Sequence, residues 1–469
     1  MAKVAGAKRQ GAPFPSPTVS VARRCKRPAE AAAMEEWRDW ASLHPDLTEL
    51  IAARALAADV MDYMSLRAVC TRWRASAPSP RDPTLRDERF RPRGWVALCD
   101  GDGVRPADAG EVALLNTATG RCLRARLPEL RGYHVVGFTD GLLILLNKGT
   151  TAVRVMHPFT RAAVDLPPIA AVFRRMARDR NSRRWMRAAV CLSQTSTDSI
   201  AVVAWFPTSP GVVVAEPSFP AWHVVHHDIQ LAAAAAFRGK LYGVIKSQRQ
   251  VTQVYPQCRS PSIAPVPHEF GHPWTYSSFL VESARRLLLI LCHQCADTSN
   301  EGWAACGFAM FEVDTAGHGG LAPVSSLGDR ALFLASDRCL SVSNKDLPSI
   351  SSNSIYLTCE SVDPVLLYSV SSGACERTST YSVIHDFYKR VRPSVRPFTL
   401  ADHLLTYCCH RHWSSGLMFH EYHHTPESWK RSSRKRDRQD REVQLPRLGG
   451  FRPLNRDGGY SPSELATFC

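Results

Sequence analysis

The feature that most constrains the fold of this 469-residue chain is a set of strand-length apolar runs at nearly even spacing. The runs begin 47, 46, 52, 46 and 45 residues apart: "GWVALCD" (94–100), "GLLILL" (141–146), "RAAVCL" (187–192), "GKLYGV" (239–244), "RRLLLI" (285–290) and "RALFLA" (330–335). Apolar strands are individually common, but a repeat of about 40–50 residues is typical of β-propeller blades. We therefore predict an all-β, propeller-like domain over residues 90–425.

A second recurring element supports the repeat. The segments 114–128, "LLNTATGRCLRARLP", and 153–167, "VRVMHPFTRAAVDLP", both have the pattern strand, turn, strand, Leu-Pro, and 310–324 is a looser copy. Each copy is the outer hairpin expected of a blade. A period of about 46 residues over the domain predicts six or seven blades. A pair of β-sandwiches is the alternative all-β architecture.

Residues 37–80 differ in pattern and predict a small all-α module ahead of the β domain. Pro45 suits the first turn of a helix. Four apolar residues then recur at i, i+3, i+4 and i+8, the spacing of a single helix face: Leu47, Leu50, Ile51 and Ala55.

A second helical pattern follows, with Asp59 as a candidate N-cap. Its apolar residues recur at i, i+3, i+4 and i+7: Leu66, Val69, Cys70 and Trp73. So short a module buries little surface by itself. We therefore expect its remaining apolar face to bind a partner.

Charge and apolar run length limit the remaining classes. No apolar run approaches the length of a membrane span, and the N-terminus lacks the apolar core of a secretory signal. The 15 cysteines are scattered, which predicts reduced thiols in an intracellular protein of the nucleus, the cytoplasm or both.

The net charge of +15 is concentrated in three segments. Residues 1–40 contribute +4, residues 174–187 contribute +6 and residues 427–457 contribute +5. We predict that 1–36 and 426–469 are disordered basic tails. A basic cluster in the first tail is a candidate nuclear-import signal: Arg23, Arg24, Lys26 and Arg27.

Nucleic-acid binding is the alternative that the basic segments raise. The run 174–187 is either a short helix that presents arginines to phosphate or a solvated insertion between blades. It contains a single aromatic residue, Trp185, whereas single-stranded nucleic acid is usually held by several stacked aromatic rings. We therefore expect no nucleic-acid partner from this run.

The stretch "HEYHH" (420–424) matches H-E-x-x-H, the pattern of a zinc-dependent protease. That chemistry needs a helix that stacks His420 over His424, and Pro426 would end such a helix at once. A structural zinc site is the second interpretation, because 408–413, "CCHRHW", and the C-x-x-C pair at 292–295 lie in the same chain. We favour histidines on the strands of a last blade, with no metal, cofactor or catalytic residue.

The helical segment resembles the F-box motif. The matching residues are Leu43, Pro45, Leu47, Ile51, Val60, Leu66, Val69, Cys70, Trp73 and Arg74, within which the usual adjacent Leu-Pro is split by His44. The resemblance implies docking to a Skp-family adaptor of a cullin-RING ligase. The residues that it assigns to the adaptor contact are Leu43, Pro45, Leu47, Ile51, Val69, Cys70 and Trp73.

The rest of the chain resembles the plant, grass-type F-box proteins that carry a DUF295 (KIB-type) β-propeller. The matching stretches include "RFRPRGWVAL" (89–98), "FRGKLYGV" (237–244), "FLVESARRLLLI" (279–290) and "LPSISSNSIYLT" (347–358). The resemblance implies a non-catalytic substrate receptor of an SCF-type (Skp–Cullin–F-box) ubiquitin ligase, whose propeller binds an unidentified target protein. The alternative function is a basic nuclear, nucleic-acid-associated regulator.

Overall fold

The structure is a computed structural model of the chain. It describes residues 39–98, 111–176, 186–257, 262–267, 276–296, 303–316, 319–335, 337–357, 366–377, 381–385, 391–395 and 400–408. The candidate import signal, the histidines at 420–424 and both basic tails lie outside the described residues. The predictions made for those segments stay predictions.

Five α-helices occur in the described residues: α1 (Pro45–Ala58), α2 (Val60–Ala68), α3 (Thr71–Ala75), α4 (Ala170–Met176) and α5 (Leu400–Cys408). Short 3-10 turns cover Trp40–Ser42, Glu88–Phe90 and Pro128–Gly132. We call residues 40–75, with α1 to α3, the helical module, and residues 76–94 the linker. None of the described helices is long and apolar enough to cross a bilayer.

Six sheets follow the linker and form a six-bladed β-propeller, which confirms the predicted fold class. Blade 1 consists of β1 (Trp95–Leu98), β2 (Glu111–Asn116) and β3 (Cys122–Arg126), and blade 2 of β4 (Tyr133–Thr139), β5 (Leu142–Asn147), β6 (Ala152–Met156) and β7 (Ala163–Pro168). Blade 3 consists of β8 (Arg187–Leu192), β9 (Ile200–Phe206), β10 (Ser209–Ala215) and β11 (His223–His226), and blade 4 of β12 (Leu231–Phe237), β13 (Lys240–Ile245), β14 (Gln250–Tyr255) and β15 (Ser262–Pro265). Blade 5 consists of β16 (Tyr276–Ser283), β17 (Arg286–Ala296), β18 (Trp303–Val313) and β19 (Leu321–Pro323), and blade 6 of β20 (Arg330–Leu334), β21 (Cys339–Ser343), β22 (Ser354–Leu357), β23 (Leu366–Ser369) and β24 (Cys375–Arg377).

Blades 1 to 5 are antiparallel sheets whose strands pair in chain order. Blade 6 differs, because its strand order is β21-β20-β22-β23-β24 and β20 pairs with β22 in parallel. A separate hairpin follows, formed by β25 (Tyr381–His385) and β26 (Val391–Val395). The blades pack through apolar clusters that run from one sheet to the next, so the core is a ring of interfaces.

The inner strands lie very close together around the propeller axis. The backbones of β4 and β8 meet at Gly137, where an added Cβ would lie 2.1 Å from the carbonyl oxygen of Ala188. Two residues further along each strand, the Val190 N–H donates to Oγ1 of Thr139 at 3.0 Å. A glycine is required at this crossing because any larger side chain would separate the two blades.

Helix α5 closes the ring between the last and the first blade. It packs against β1 and blade 6, and Leu404, Leu405 and Cys408 are buried in the same cluster as the strands of blade 1. The N–H of Arg338, just ahead of β21, donates to the Cys408 carbonyl at 3.2 Å. Among the described residues blade 1 has three strands, and α5 packs beside β1.

A buried ion pair crosses the central channel between opposite blades. Nε of Arg187, the first residue of β8, lies 3.1 Å from Oδ1 of Asp337 in blade 6, and both side chains are buried. Beside this pair, the Arg338 guanidinium lies 4.1 Å from the Phe138 ring centroid and 4.8 Å from that of Tyr407. The channel is therefore filled by side chains at this level.

Five of the six predicted apolar runs fall where the period requires. The runs that become β5, β13, β17 and β20 are second strands of their sheets, and the run at 94–100 becomes β1. The run at 187–192 is also a strand, as predicted, but it forms β8, the first strand of blade 3. Helix α4 and residues 177–185 add length between blades 2 and 3, which displaces the second strand of blade 3 to Ile200.

The predicted outer hairpins are confirmed, and a side chain caps each turn. Oδ1 of Asn116 accepts from the N–H groups of Ala118 and Thr119 at 2.8 and 3.2 Å. Nδ1 of His157 and Oδ1 of Asp314 accept from backbone N–H groups in the corresponding turns of blades 2 and 5. The repeat at 114–128, 153–167 and 310–324 therefore reflects three equivalent hairpins.

Candidate functional site

Among the described residues, the most exposed large apolar side chains all lie in the helical module. They are Trp40 at 58% exposure, Leu47 at 50%, Leu50 at 62%, Ile51 at 40% and Val69 at 60%. We call these five residues the docking face. Elsewhere in the described chain, large apolar side chains are buried or half-buried, so this concentration is a property of the module alone.

The docking face arises because α1 packs with its small residues inward. The helix begins at Pro45, and its buried positions are Thr48 and Ala52. Of the predicted apolar face, Leu47, Leu50 and Ile51 consequently point to solvent, whereas Ala55 packs against the module core. An amphipathic helix normally buries its apolar stripe, whereas the described residues leave this stripe of α1 uncovered.

The second predicted helix is divided in two. Helix α2 ends at its C-cap Val69, and α3 begins after Cys70, whose sulfur accepts from the Trp73 N–H at 3.4 Å. The break places Val69 outward, while Cys70 and Trp73 are half-buried. The single face predicted from Leu66 to Trp73 is therefore wrong, because the extended backbone at Cys70 interrupts the helical spacing.

Trp73 lies at the edge of the module core. Its ring packs against the cluster that contains Ala52, Tyr63 and Leu66, and its Nε1–H donates to the Trp40 carbonyl at 3.0 Å. This contact holds the turn that carries Trp40 against α3. Truncating Trp73 would therefore disturb the module itself as well as any partner contact.

Tyr63 anchors the start of the linker to the module. Its hydroxyl donates to the Pro78 carbonyl at 2.6 Å, and its ring lies 5.8 Å from that of Phe90. Burial raises the pKa of the Tyr63 hydroxyl, against the opposing charges of Arg67 and Arg89. The phenol therefore stays protonated and donates over the whole physiological pH range.

Asp59 joins the module to blade 1. Its carboxylate caps α2 by accepting from the Met61 N–H at 2.9 Å. The same carboxylate accepts from Nε1 of Trp95 at 2.8 Å and from Nδ2 of Asn116 at 3.1 Å. The side chain is 5% exposed, so a single buried acid fixes the helix terminus to two strands of the propeller.

The linker is fixed to blade 2 by Arg91. The buried guanidinium donates to Oδ2 of Asp140 at 3.0 Å and to the Leu85 carbonyl at 3.1 Å. Next to it, Pro92 contacts Gly141 so closely that a Cβ at the glycine would lie 2.2 Å from the Pro92 carbonyl oxygen. The linker is thus a packed part of the propeller surface.

His157 holds the linker from the propeller side. Its Nε2 lies 3.0 Å from the Phe90 carbonyl oxygen, while its Nδ1 caps the outer turn of blade 2. Burial lowers the pKa of His157, against the backbone hydrogen bonds that raise it. The ring is therefore neutral at pH 7, with its proton on Nε2 and its lone pair on Nδ1.

The structure describes only part of the candidate metal site. Cys292 of the C-x-x-C pair is fully buried on strand β17. Residues 400–408 form helix α5, and the histidines that were predicted on strands of a last blade lie in 409–424, outside the described residues, so that expectation stays a prediction. Among the residues that the structure describes, no three His, Cys, Asp or Glu side chains are grouped as metal ligands.

The buried thiols do not form reactive sites. Burial raises the pKa of Cys191, and it raises the pKa of Cys339 to about 12. Such thiols stay protonated, and a protonated thiol is a poor nucleophile. These cysteines therefore act as small apolar residues of the core.

The structure places the predicted adaptor residues in two groups. Leu47, Ile51 and Val69 lie on the docking face and Pro45 is exposed beside them, whereas Leu43, Cys70 and Trp73 are half-buried. Sequence reasoning did not select Trp40 and Leu50 as contacts. Leu50 carried a usable signal, since it shares the apolar stripe of α1.

Comparison with known proteins identifies the β domain. The family model described as the KIB1-4 beta-propeller matches residues 114–383, more than half of the chain. No curated protein matches. Among solved structures, the chain is similar to a catalytically inactive virginiamycin B lyase from Staphylococcus aureus with quinupristin, at 7% identity over 57% of this chain and 72% of that chain. The TM-score of 0.23 is too low for this likeness to carry an argument. On the strength of the matching family model, the chain belongs to the KIB1-4 β-propeller family.

Proposed function

We propose that this chain is the substrate-recognition subunit of an SCF-type ubiquitin ligase. The observation that carries the proposal is the docking face, an outward apolar stripe on a helical module that resembles an F-box. KIB1-4 propellers are typical of F-box proteins, which agrees with this assignment. In this function the module binds a Skp-family adaptor and the propeller binds the protein to be ubiquitinated.

The docking face supplies the chemistry that such an adaptor contact needs. Interface energy is concentrated in a few apolar and aromatic anchors that become desolvated on binding. Leu47 and Ile51 lie one helical turn apart on α1, and Val69 ends α2. These three side chains offer a partner helix or groove an apolar contact without any rearrangement of the module.

The fixed linker supports a positioning role. The Asp59 carboxylate joins α2 to blade 1, and Arg91 joins the linker to blade 2 through Asp140. A ligase subunit accelerates transfer by holding the acceptor protein near the activated ubiquitin, which requires a stiff connection between its two binding sites. The chain then acts by placement, while bond formation occurs on other subunits.

The test is adaptor binding by the purified full-length chain, measured by isothermal titration calorimetry. The variant Leu47→Ala/Ile51→Ala/Val69→Ala removes about eight carbons from the docking face, worth about 0.8 kcal/mol each if fully buried. Because these side chains are already half-covered in the free chain, we expect about half of that total, or roughly a 100-fold loss of affinity. The matched control is Glu49→Ala/Arg54→Ala, which changes exposed polar positions of the same helix.

The outcomes separate cleanly. Loss of adaptor binding in the apolar variant, with an unchanged melting temperature and with binding retained by the control, supports the proposal. Equal adaptor affinity in wild type and in the apolar variant would overturn it, and so would the absence of any adaptor binding by wild type. Trp73 is left intact because its truncation would also disturb the module core.

The alternative, a nucleic-acid-associated regulator, has no comparable support among the described residues. Of the three basic segments that motivated it, only 174–187 reaches the described residues, and there Met186 and Arg187 lie in the propeller interior, where Arg187 pairs with Asp337. Residues 174–176 end helix α4, while residues 177–185 and both basic tails lie outside the described residues.

A further inference from the structure

A cavity of about 660 Å³ lies beside the linker at one mouth of the central channel, where the inner strands β4, β8, β12 and β16 end. It is bordered by the linker and by the first turns of blades 2, 4 and 5, which carry Asp140, Arg238 and Arg285. We call it the mouth cavity. Five arginines and four carboxylates line it, so its ligand preference depends on which charges are already paired.

The linker carboxylates are neutralised by their neighbours. The Asp87 carboxylate accepts hydrogen bonds from Nε and Nη2 of Arg89, the shorter at 2.6 Å. The Glu88 carboxylate accepts from Nη2 of Arg93 at 2.6 Å. Asp140 is neutralised in turn, with the buried Arg91 at 3.0 Å and Nε of Arg93 at 3.3 Å. These three acids are therefore committed to ion pairs within the protein.

Three arginines of the mouth cavity remain without such a pair. Within the described residues, no carboxylate oxygen lies within 4 Å of the guanidinium groups of Arg86, Arg238 or Arg285. The fourth acid, Glu282, is an exposed residue near this group; partial desolvation and the charge of Asp140 raise its pKa, against the opposing charges of Arg93 and Arg238. An excess of positive charge thus faces the cavity.

The backbone turns that carry two of these arginines are conformationally costly. The first turn of each of blades 2, 4 and 5 has two residues with positive φ. In blades 2 and 4 the second of these is Gly141 or Gly239, but in blade 5 it is Arg285 at φ 63°. Glycine would fit this turn with less strain, and strained residues cluster at binding sites.

A second cavity extends the site along the surface. It has a volume of about 470 Å³ and shares Phe237, Arg238 and Arg285 with the mouth cavity. Its lining also includes Asp314 and the ion pair of Arg286 with Glu312 at 3.3 Å, so three arginines and two carboxylates border it. Cζ of Arg238 lies 4.9 Å from the Phe237 ring centroid, and Nη2 of Arg238 donates to the Arg285 carbonyl at 3.3 Å. These contacts hold the Arg238 side chain on the ridge that separates the two cavities. An extended segment lying across the ridge would contact both arginines.

We propose that the two cavities bind an extended acidic segment of a partner protein, with side-chain carboxylates or phosphates on Arg238 and Arg285. The proposal rests on the proposed function and names the chemistry of the target segment. Arginine matches both anions because its fork donates two parallel hydrogen bonds. A nucleic acid fits less well, because Phe237 is buried and the described residues that line the cavities offer no exposed ring for base stacking.

The test measures binding of fluorescent peptides to the full-length chain by anisotropy at low salt. The probes are a hexaglutamate peptide, a peptide with two phosphoserines, a hexaglutamine peptide and a single-stranded oligonucleotide. We expect both acidic peptides to bind and Arg238→Gln/Arg285→Gln to weaken them at least tenfold. The control Arg81→Gln/Arg126→Gln changes two exposed arginines outside both cavities.

A second variant distinguishes function from structure. Arg285→Gly relieves the turn, so we expect a higher melting temperature together with weaker acidic-peptide binding. Preference for either acidic peptide identifies the anion source. The proposal is overturned if the acidic peptides bind no better than hexaglutamine, if the oligonucleotide alone binds, or if the cavity variants bind like wild type. Adaptor affinity is measured in parallel, so that failure of this site is distinguished from failure of the ligase assignment.

Discussion

The carboxylate of Asp59 provides the sharpest test of how the module is fixed to the propeller. In Asp59→Ala, α2 loses its N-cap, which costs about 1 kcal/mol. Nε1 of Trp95 and Nδ2 of Asn116 lose their acceptor in a buried place, at about 1–3 kcal/mol each. We therefore expect the free energy of unfolding to fall by about 3–7 kcal/mol, measured by urea denaturation followed through tryptophan fluorescence.

Two further variants make the result interpretable. Asp62→Ala removes an exposed carboxylate of the same helix that pairs with Arg121 at 2.7 Å, and a surface pair of this kind contributes at most about 1 kcal/mol. Asp59→Asn keeps one acceptor oxygen but turns an amide donor toward Asn116, so its cost should lie between those of the two alanine variants. If Asp59→Ala costs no more than Asp62→Ala, the carboxylate does not join the module to the blade, and the positioning argument fails.

Three other predictions concern the propeller and its linker. Gly141→Ala should lower the melting temperature by several degrees and increase proteolysis of the linker, because the new methyl group meets the Pro92 carbonyl at 2.2 Å; an unchanged melting temperature would contradict the close packing. Arg187→Ala leaves Asp337 buried without its cation and should cost about 3–5 kcal/mol in urea denaturation, largely restored if both residues are replaced by apolar ones. Burial lowers the pKa of His157, so its contribution to stability is complete above the unfolded value of about 6.5 and is lost as the pH falls below it. His157→Asn should flatten the dependence of stability on pH between 7 and 5, since asparagine already caps the equivalent turn of blade 1; an unchanged slope would show that another group titrates.

The repeat could be predicted from the sequence because each blade repeats the same local pattern. Strand runs such as 141–146 and the outer hairpins at 114–128 and 153–167 are short-range features, so their period survives in the sequence. The parallel pairing in blade 6 and the closure by α5 depend on contacts between distant segments. The spacing of Leu400, Leu404 and Cys408 at i, i+4 and i+8 is a local helical signal, but nothing local shows that this helix closes the ring.

The docking face was partly visible in the sequence. The spacing of Leu47, Leu50 and Ile51 correctly predicted one apolar face, but spacing alone does not say whether a face is inward or outward. That choice follows from the small buried residues Thr48 and Ala52, which let α1 pack closely on α2. The second role of Asp59 was missed because its partners lie 36 and 57 residues further along the chain.

Closure of the ring by α5 sets an order on biosynthesis. A ribosome releases the chain from its N-terminus, so β1 emerges long before residues 400–408, which pack against it. During that interval the apolar edge of blade 1 has no neighbour, and the nascent ring stays open to chaperones and to wrong pairings. Premature termination ahead of Leu400 would make this open state permanent, leaving Leu98 and Phe333 without their covering helix. Loss of residues 400–469, fewer than one in six, would thus leave the whole propeller open and exposed to cellular quality control.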